Sequence, residues 1–198
     1  MGCFGIICCL PKCICQMIVS ILIALGVIAL AVWFFFLHPV NPLKIHVEGA
    51  SLTQFNVTDN DMLHYNLALA LNLRNPNKKI GVYYDQIEAR AFYNGQRFDA
   101  VTLTPFYQGH KNTTVLHPVF SGQRLSPSVQ GKYNQDKADG KFNILVQLYL
   151  KRRFKAGLFK TGKFTTRGKC EIEVPLGSNP AVGGFTPVMC RLDRLHMG

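Results

Sequence analysis

The feature that most constrains this chain is an uncharged apolar segment close to its start. In residues 17–37, 19 of 21 side chains are apolar, and only Ser20 and Gly26 interrupt the run. About 20 such residues are enough for a helix to cross the hydrocarbon core of a bilayer. We therefore predict a transmembrane helix over residues 17–37, which follows a cysteine-rich N-terminus over residues 1–16.

A cleaved signal peptide is the alternative for an apolar run in this position. Ala29-Leu30-Ala31 offers a small-residue cleavage pattern. The run nevertheless continues through Trp33, and it is longer than the apolar core of about 7–15 residues that signal peptides carry. Trp also favours the headgroup level of a membrane, which suits the end of a spanning segment. The pattern therefore favours a retained membrane anchor.

The positive charges near this segment do not indicate which of its ends is cytosolic, because one lysine lies on each side, Lys12 before it and Lys44 after it. The cysteines are more informative, since five of the seven lie in the first 15 residues, and juxtamembrane cysteines on the cytosolic face are sites of S-palmitoylation. The candidate lipidation sites are Cys3, Cys8, Cys9, Cys13 and Cys15. The alternative is that these cysteines are small apolar residues that extend the segment. Acylation would place the N-terminus in the cytosol and the rest of the chain outside the cell.

The remaining 160 residues or so are enough for one domain and too few for a large multidomain enzyme. Large apolar side chains alternate with smaller or polar ones over residues 63–73, and this period of two is typical of a strand with one buried face. Asn75-Pro76-Asn77 ends the strand, because Pro lacks the backbone N–H that a strand needs.

A second strand is predicted over residues 80–93, and Asn94-Gly95 predicts a type I′ hairpin turn after it. Further strands are predicted over residues 100–107, 113–120, 142–150 and 169–174. Residues 121–140 are polar and predict a long connection with one helical turn near residues 129–133. Six to eight strands with regular turn signals indicate an all-β domain. We expect a β-sandwich over residues 38–190 and a tail over residues 191–198.

The stretch that starts at Asn75 resembles a known family. Residues 75–95, NPNKKIGVYYDQIEARAFYNG, are similar to the plant harpin-induced-like, or non-race-specific-disease-resistance-like, family. The motif residues are Asn75, Pro76, Asn77, Tyr83, Tyr84 and Asp85. The resemblance implies a late-embryogenesis-abundant type-2 domain with an immunoglobulin-like or fibronectin-III-like sandwich, held at the plasma membrane by one N-terminal helix. It also implies a role in plant defence and stress responses.

No residue pattern in the chain predicts catalysis. The sequence has no G-x-S-x-G elbow, no H-E-x-x-H zinc motif and no calcium loop, and its six His residues are isolated. Residues 157–163 have the spacing of a phosphate-binding loop, but Phe164 stands where a hydroxyl must hold magnesium. We therefore expect a protein that is not an enzyme, with no catalytic residue, no metal site and no cofactor.

Between Lys151 and Lys169 the chain has eight basic residues and no acidic one, against a net charge of +11. These residues are Lys151, Arg152, Arg153, Lys155, Lys160, Lys163, Arg167 and Lys169. Basic residues interleaved with Phe would suit nucleic acid, but an extracellular domain would not meet it, so we expect no nucleic-acid partner. Anionic cell-wall polysaccharide and lipid headgroups are the expected partners. The alternative is a solvated hairpin whose charges prevent edge-to-edge strand pairing.

Two kinds of modification would follow from an extracellular domain. Asn56 and Asn112 each begin an N-x-T glycosylation sequon, although about one sequon is expected by chance in a chain of this composition. Cys170 and Cys190 are the only cysteines outside the N-terminal cluster. They could form a disulfide in an oxidising compartment and would stay reduced in the cytosol.

Together these features predict a single-pass plasma-membrane protein with a cytosolic N-terminus and an extracellular binding or signalling domain. Its partners would be the lipid bilayer and an unknown protein. The first alternative is a module near the membrane that binds or handles lipids. The second is a structural stress protector without a specific ligand.

Overall fold

The computed structural model describes residues 4–36, 41–126, 129–177, 185–193 and 196–197, which fall into two compact units. The described residues of the first unit, Met1–Val40, form one helix, α1 (Phe4–Phe36). In the second unit, Asn41–Gly198, the part that the structure describes contains the strands and one short helix, α2 (Gln130–Asp139).

Helix α1 is longer than the sequence predicts. It begins at Phe4 rather than near residue 17, so most of the cysteine-rich N-terminus is helical. Its segment Ile14–Ala31 is long and apolar enough to cross a membrane, and every side chain of that segment is exposed within the structure. Apolar side chains avoid water, and a helix satisfies its own backbone hydrogen bonds in lipid. The helix therefore has the properties of a single membrane anchor.

The second unit is a β-sandwich of two antiparallel sheets. The strands are β1 (Lys44–Val57), β2 (Met62–Arg74), β3 (Ile80–Tyr93), β4 (Gln96–Leu103), β5 (Phe106–Gln108), β6 (Thr113–Leu116), β7 (Val119–Leu125), β8 (Lys141–Ala156), β9 (Phe159–Lys160), β10 (Phe164–Pro175), β11 (Val188–Met189), β12 (Arg191–Leu192) and β13 (His196–Met197). The first sheet has the order β11-β1-β2-β6, with β7 also on β2. The second has the order β12-β10-β8-β3-β4, with β5 on β3, β9 on β8 and β13 on β10. The immunoglobulin-like or fibronectin-III-like assignment stays a prediction.

The alternating pattern of the sequence builds the core between the sheets. All odd-numbered residues of 63–73 are buried, as predicted for β2. In β10 the even-numbered residues of 166–174 are buried, whereas Glu171 and Glu173 are exposed. Successive side chains of a strand point to opposite faces, so each strand offers one apolar face to the core.

The turn between β3 and β4 confirms the predicted hairpin. Asn94 and Gly95 have φ angles of 46° and 76°, and Tyr93 pairs with Gln96, as a two-residue type I′ turn requires.

Three local predictions differ from the structure. The predicted strand over residues 100–107 is divided into β4 and β5 near Pro105, and the one over 113–120 is divided into β6 and β7 near Pro118. Pro cannot donate to a strand ladder, which accounts for both breaks. Residues 121–140, predicted as a connection, contain most of β7 and the whole of α2.

The C-terminal segment is part of both sheets and not a separate tail from residue 191. Strand β11 pairs with β1, and β12 and β13 pair with β10. Between β11 and β12, the Cys190 backbone N–H donates to the Ile45 carbonyl oxygen at 2.9 Å, and a disulfide joins Cys190 to Cys170. The segment therefore covers the adjacent edges of both sheets, where strands would otherwise offer free hydrogen-bonding groups.

The disulfide gives the first testable prediction. The Cys170→Ala and Cys190→Ala double variant should lower the free energy of unfolding by about 3 kcal/mol, because the bridge closes a loop with a sequence separation of 20 residues. Urea unfolding of the full chain in a neutral detergent, followed by circular dichroism, measures this difference. Cys15→Ala is the control, since Cys15 is a free cysteine in α1. A double variant as stable as the parent chain would contradict the prediction.

Candidate functional site

One end of the sandwich brings together the start of the domain and several strand ends. We name it the linker end, because Asn41, the first described residue of the second unit, lies there. Lys44 at the start of β1 pairs with Arg74 at the end of β2, and Ile80 at the start of β3 pairs with Ala156 at the end of β8. The linker end therefore contains parts of both sheets.

Asn75 and Asn77 form a buried amide cluster at the linker end. The Asn75 Nδ2 group donates to the carbonyl oxygens of Ile80 and Gly109 at 2.8 and 2.9 Å. Its Oδ1 atom accepts hydrogen bonds from the Asn77 backbone N–H and Nδ2 at 3.1 and 2.9 Å. Asn77 also exchanges two hydrogen bonds with the Asn41 backbone, at 2.9 and 3.0 Å. These amides fix both the corner between the sheets and the start of the domain.

The other motif residues lie on β3 and have separate surroundings. Tyr84 is buried and donates its hydroxyl hydrogen to Gln108 Oε1 at 3.1 Å, and burial raises the pKa of Tyr84. Tyr83 is partly exposed on the outer face of the sheet. Asp85 accepts two hydrogen bonds from the Arg153 guanidinium, at 2.6 and 2.7 Å. These hydrogen bonds hold the pKa of Asp85 below its ordinary value.

The predicted patch of eight basic residues divides into three groups. Arg153 is paired with Asp85, and Lys169 Nζ lies 3.4 Å from a carboxylate oxygen of Asp193. Arg152 is buried. The other five form no salt bridge with any described residue: Lys151, Lys155, Lys160, Lys163 and Arg167. The positive charge that a partner could meet is therefore smaller than the sequence count suggests.

Arg152 does not belong to the surface patch. It is 3% exposed because the even-numbered residues of β8 face the core from Phe142 to Phe154. Its guanidinium carbon lies 5.0 Å from the centroid of the Phe154 ring, and its Nε atom has no hydrogen-bond partner among the described residues. Burial lowers the pKa of Arg152 to about 10. Continuing the period of two beyond Leu150 would have predicted this orientation.

Aromatic rings lie beside two lysines near the hairpin between β8 and β10. The ring centroids of Tyr83 and Tyr107 are 4.5 Å apart on the outer face of the second sheet. Lys160 Nζ lies 5.1 Å from the Tyr83 centroid, and Lys155 Nζ lies 5.9 Å from the Tyr107 centroid. Both distances allow cation–π attraction.

A second cation–aromatic group lies further along the same face. The guanidinium carbons of Arg90 and Arg167 lie 4.0 and 5.2 Å from the centroid of the Tyr149 ring. Arg90 also donates to both carboxylate oxygens of Glu88, at 2.7 and 3.1 Å, which lowers the pKa of Glu88. This part of the face therefore carries both signs of charge.

The tip of the hairpin projects past the paired part of the second sheet. Ala156 is the last residue of β8 that pairs with β3, and Lys155 pairs with Lys160 across the hairpin. Between these partners, Gly157 has a φ angle of 57°, and Leu158 is 97% exposed. The tip thus presents a large apolar side chain between basic residues.

The remaining candidate residues do not form one site. Cys3 lies outside the described residues, Cys8, Cys9 and Cys13 lie in α1, and the Cys15 side chain is exposed and free. Both sequon asparagines are exposed: Asn56 lies on β1, where its Oδ1 accepts a hydrogen bond from the Tyr133 hydroxyl at 3.0 Å, and Asn112 precedes β6. In the described part of the chain, no three His, Cys, Asp or Glu residues are grouped in a way that could hold a metal ion.

Comparisons with known proteins define the class of protein. The family model for late embryogenesis abundant protein, LEA_2, matches residues 70–170. NDR1/HIN1-like protein 10 of Arabidopsis thaliana is 44% identical over 94% of this chain and 85% of its own length. NDR1/HIN1-like protein 3 of the same plant is 42% identical over 90% of this chain and 78% of its own length.

A solution structure described as a late embryogenesis abundant protein is 16% identical, with a TM-score of 0.39, and covers 86% of this chain and 90% of its own. The family model and the relatives establish that the chain has an LEA_2 domain. It belongs to the NDR1/HIN1-like family, as the motif at residues 75–95 predicted.

The amide cluster gives the second prediction. Asn75→Ala should lower the free energy of unfolding of the sandwich by about 3 kcal/mol, because the partly buried carbonyl oxygens of Ile80 and Gly109 lose the donor that the buried Asn75 amide provides. Urea unfolding of the full chain in neutral detergent measures the change. Asn143→Ala is the matched control, since Asn143 is exposed on β8, and its effect should stay within about 0.5 kcal/mol. Equal stability of the two variants would contradict a structural role for the cluster.

Proposed function

We propose that this protein is a single-pass plasma-membrane protein whose extracellular β-sandwich is a non-enzymatic binding or signalling component of plant defence and stress responses. The observation that carries the proposal is the apolar segment Ile14–Ala31, whose side chains are all exposed in the structure. Such a surface is stable in a bilayer and costly in water. The defence and stress role is supported by membership of the NDR1/HIN1-like family.

An extracellular position of the sandwich is supported by its disulfide. Disulfides persist in oxidising compartments and are rare in the cytosol, where thiols are kept reduced. The Cys170–Cys190 bridge joins β10 to the segment between β11 and β12, so it belongs to the folded domain. In this orientation the cysteines near the start of α1 face the cytosol as candidate palmitoylation sites, and Asn56 and Asn112 are candidate N-glycosylation sites.

The binding surface that we propose is the cationic and aromatic face near the β8–β10 hairpin. Lys155 and Lys160 lie beside the rings of Tyr107 and Tyr83, and neither Lys forms a salt bridge with a described residue. Such a surface suits anionic polysaccharide of the cell wall or anionic lipid headgroups. Confinement at the membrane raises the local concentration of the domain, so weak contacts with such partners or with a neighbouring protein become effective.

A second candidate function is the binding of lipids between the two sheets. Arg152 Nε and Thr166 Oγ1 are buried, have no hydrogen-bond partner among the described residues, and lie on the same face of neighbouring strands. A carboxylate or phosphate would satisfy both groups. Binding of a labelled free fatty acid by the full chain in neutral detergent that survives high salt would favour this function, because screening weakens attraction between exposed charges.

Protease protection tests the membrane topology. In sealed right-side-out plasma-membrane vesicles, added protease should digest the sandwich and leave an N-terminal tag intact, because the bilayer shields the cytosolic side. Immunoblots for each end of the chain, before and after permeabilisation, provide the measurement and its control. A sandwich that is digested only after permeabilisation would contradict the extracellular position. A mature protein that begins near Val32 and is soluble without detergent would contradict the anchor.

A further inference from the structure

Positive charge is concentrated at the linker end of the sandwich. Four segments that form much of this end, residues 41–47, 71–84, 106–116 and 154–166, contain no Asp or Glu, and neither do β11 and β13, which pair with two of them. They contain eight basic residues: Lys44, Arg74, Lys78, Lys79, Lys111, Lys155, Lys160 and Lys163. The nearest acidic residue along β3, Asp85, is bound to Arg153. The linker end is therefore a strongly cationic surface.

The opposite end of the sandwich carries both signs of charge. It contains Asp59 and Asp61 in the turn between β1 and β2, and Asp136 and Asp139 in α2. Basic residues lie there as well: Arg124, Lys132, Lys137 and Lys141, of which Lys132 is paired with Asp136. The two ends are about 40 Å apart, since β2 has 13 residues at about 3.3 Å each. Charge is thus distributed unevenly along the strand direction.

Apolar and aromatic groups accompany the positive charge at the linker end. Leu158 at the hairpin tip is 97% exposed and lies between Lys155 and Lys160 in sequence. Tyr107 is exposed and packs on Tyr83 beside the same hairpin. A single exposed Leu is ordinary on a protein surface. Basic residues around a projecting apolar side chain, with Tyr nearby, are instead typical of surfaces that bind the membrane interface.

Covalent connection brings this end within reach of the membrane. Only residues 37–40 separate Phe36 of α1 from Asn41, and the five residue steps between them span at most about 18 Å when extended. A bilayer that holds α1 therefore lies within a short distance of Asn41, which belongs to the linker end. This argument holds on either side of the membrane.

We propose that the linker end is a docking surface for anionic phospholipid headgroups of the same bilayer that holds α1. Lys155, Lys160 and Lys163 bind the phosphate groups, and Leu158 enters the boundary between headgroups and acyl chains. The inference rests on the proposed membrane anchor, and in the proposed orientation the headgroups are those of the extracellular leaflet. Cell-wall polysaccharide is a weaker candidate for this end, because a hydrated polysaccharide offers no apolar phase for Leu158.

Photochemical crosslinking of the full chain tests the docking. A leucine analogue with a diazirine replaces Leu158 in one preparation and Leu125 in the matched control, because Leu125 is 62% exposed at the opposite end of the sandwich. Each protein is made without N-glycans, since Asn112 lies at the linker end, and is placed in nanodiscs. The discs contain phosphatidylcholine alone or with about one third phosphatidylserine. Mass spectrometry then measures the lipid adducts.

We expect lipid adducts at position 158 in the anionic discs, and few in neutral discs, in high salt or at position 125. Lys155→Ser, Lys160→Ser and Lys163→Ser together should reduce the adducts by about tenfold, because each basic residue adds to attraction by anionic lipid. The control with the same loss of charge, Arg124→Ser, Lys137→Ser and Lys141→Ser, should change them less than about twofold.

Equal adducts at positions 158 and 125, or no dependence on anionic lipid, would overturn the proposal. Binding of polygalacturonate without lipid adducts would assign the linker end to polysaccharide and would also overturn it. Flotation of the discs reports separately whether the protein is anchored. A chain that floats with the discs but gives no adduct thus contradicts the docking and leaves the anchor intact.

Discussion

The hydrogen bonds of two buried asparagines determine how this domain is arranged at the linker end. Asn75 and Asn77 join the end of β2 to the start of β3, and they also hold the backbone of Asn41. A buried amide without partners is costly, so the cluster favours one arrangement of these segments. Because Ile80 pairs with Ala156, the same corner also places the hairpin between β8 and β10 at this end.

This arrangement relates the family motif to the proposed functions. Asn75, Asn77 and Tyr84 are buried and hold the fold, whereas Tyr83 contributes to the outer surface beside Lys160. Most of the motif therefore positions the strands beneath this surface, and only Tyr83 contributes a side chain to the surface beside Lys160. Sequence relatives show that this protein is NDR1/HIN1-like and has an LEA_2 domain. The structure adds that one end of this domain, the linker end, is cationic.

Local sequence signals predicted the apolar helix, the β2 strand and the turn at Asn94, because each depends on residues that are neighbours in sequence. The family was also predicted, from the motif at residues 75–95. The charge of Arg152 predicts a surface position, whereas the period of two along β8 predicts a buried one, and the residue is buried. The roles of Asn41 and of residues 191–193 could not be predicted from local signals, since both depend on partners far away in the chain. The clustering of eight basic residues at the linker end could not be predicted from local signals either, because these residues come from segments that are far apart in the chain.

The most direct test of the central claim, that the linker end faces and touches the bilayer, is neutron reflectometry of the full chain in a supported bilayer with anionic lipid. Protein density should begin within the headgroup layer, with no water layer between, and should extend about 40 Å from it, which is the length of a 13-residue strand. A hydrated gap between headgroups and protein, or a protein layer much thinner than one strand length, would contradict the account.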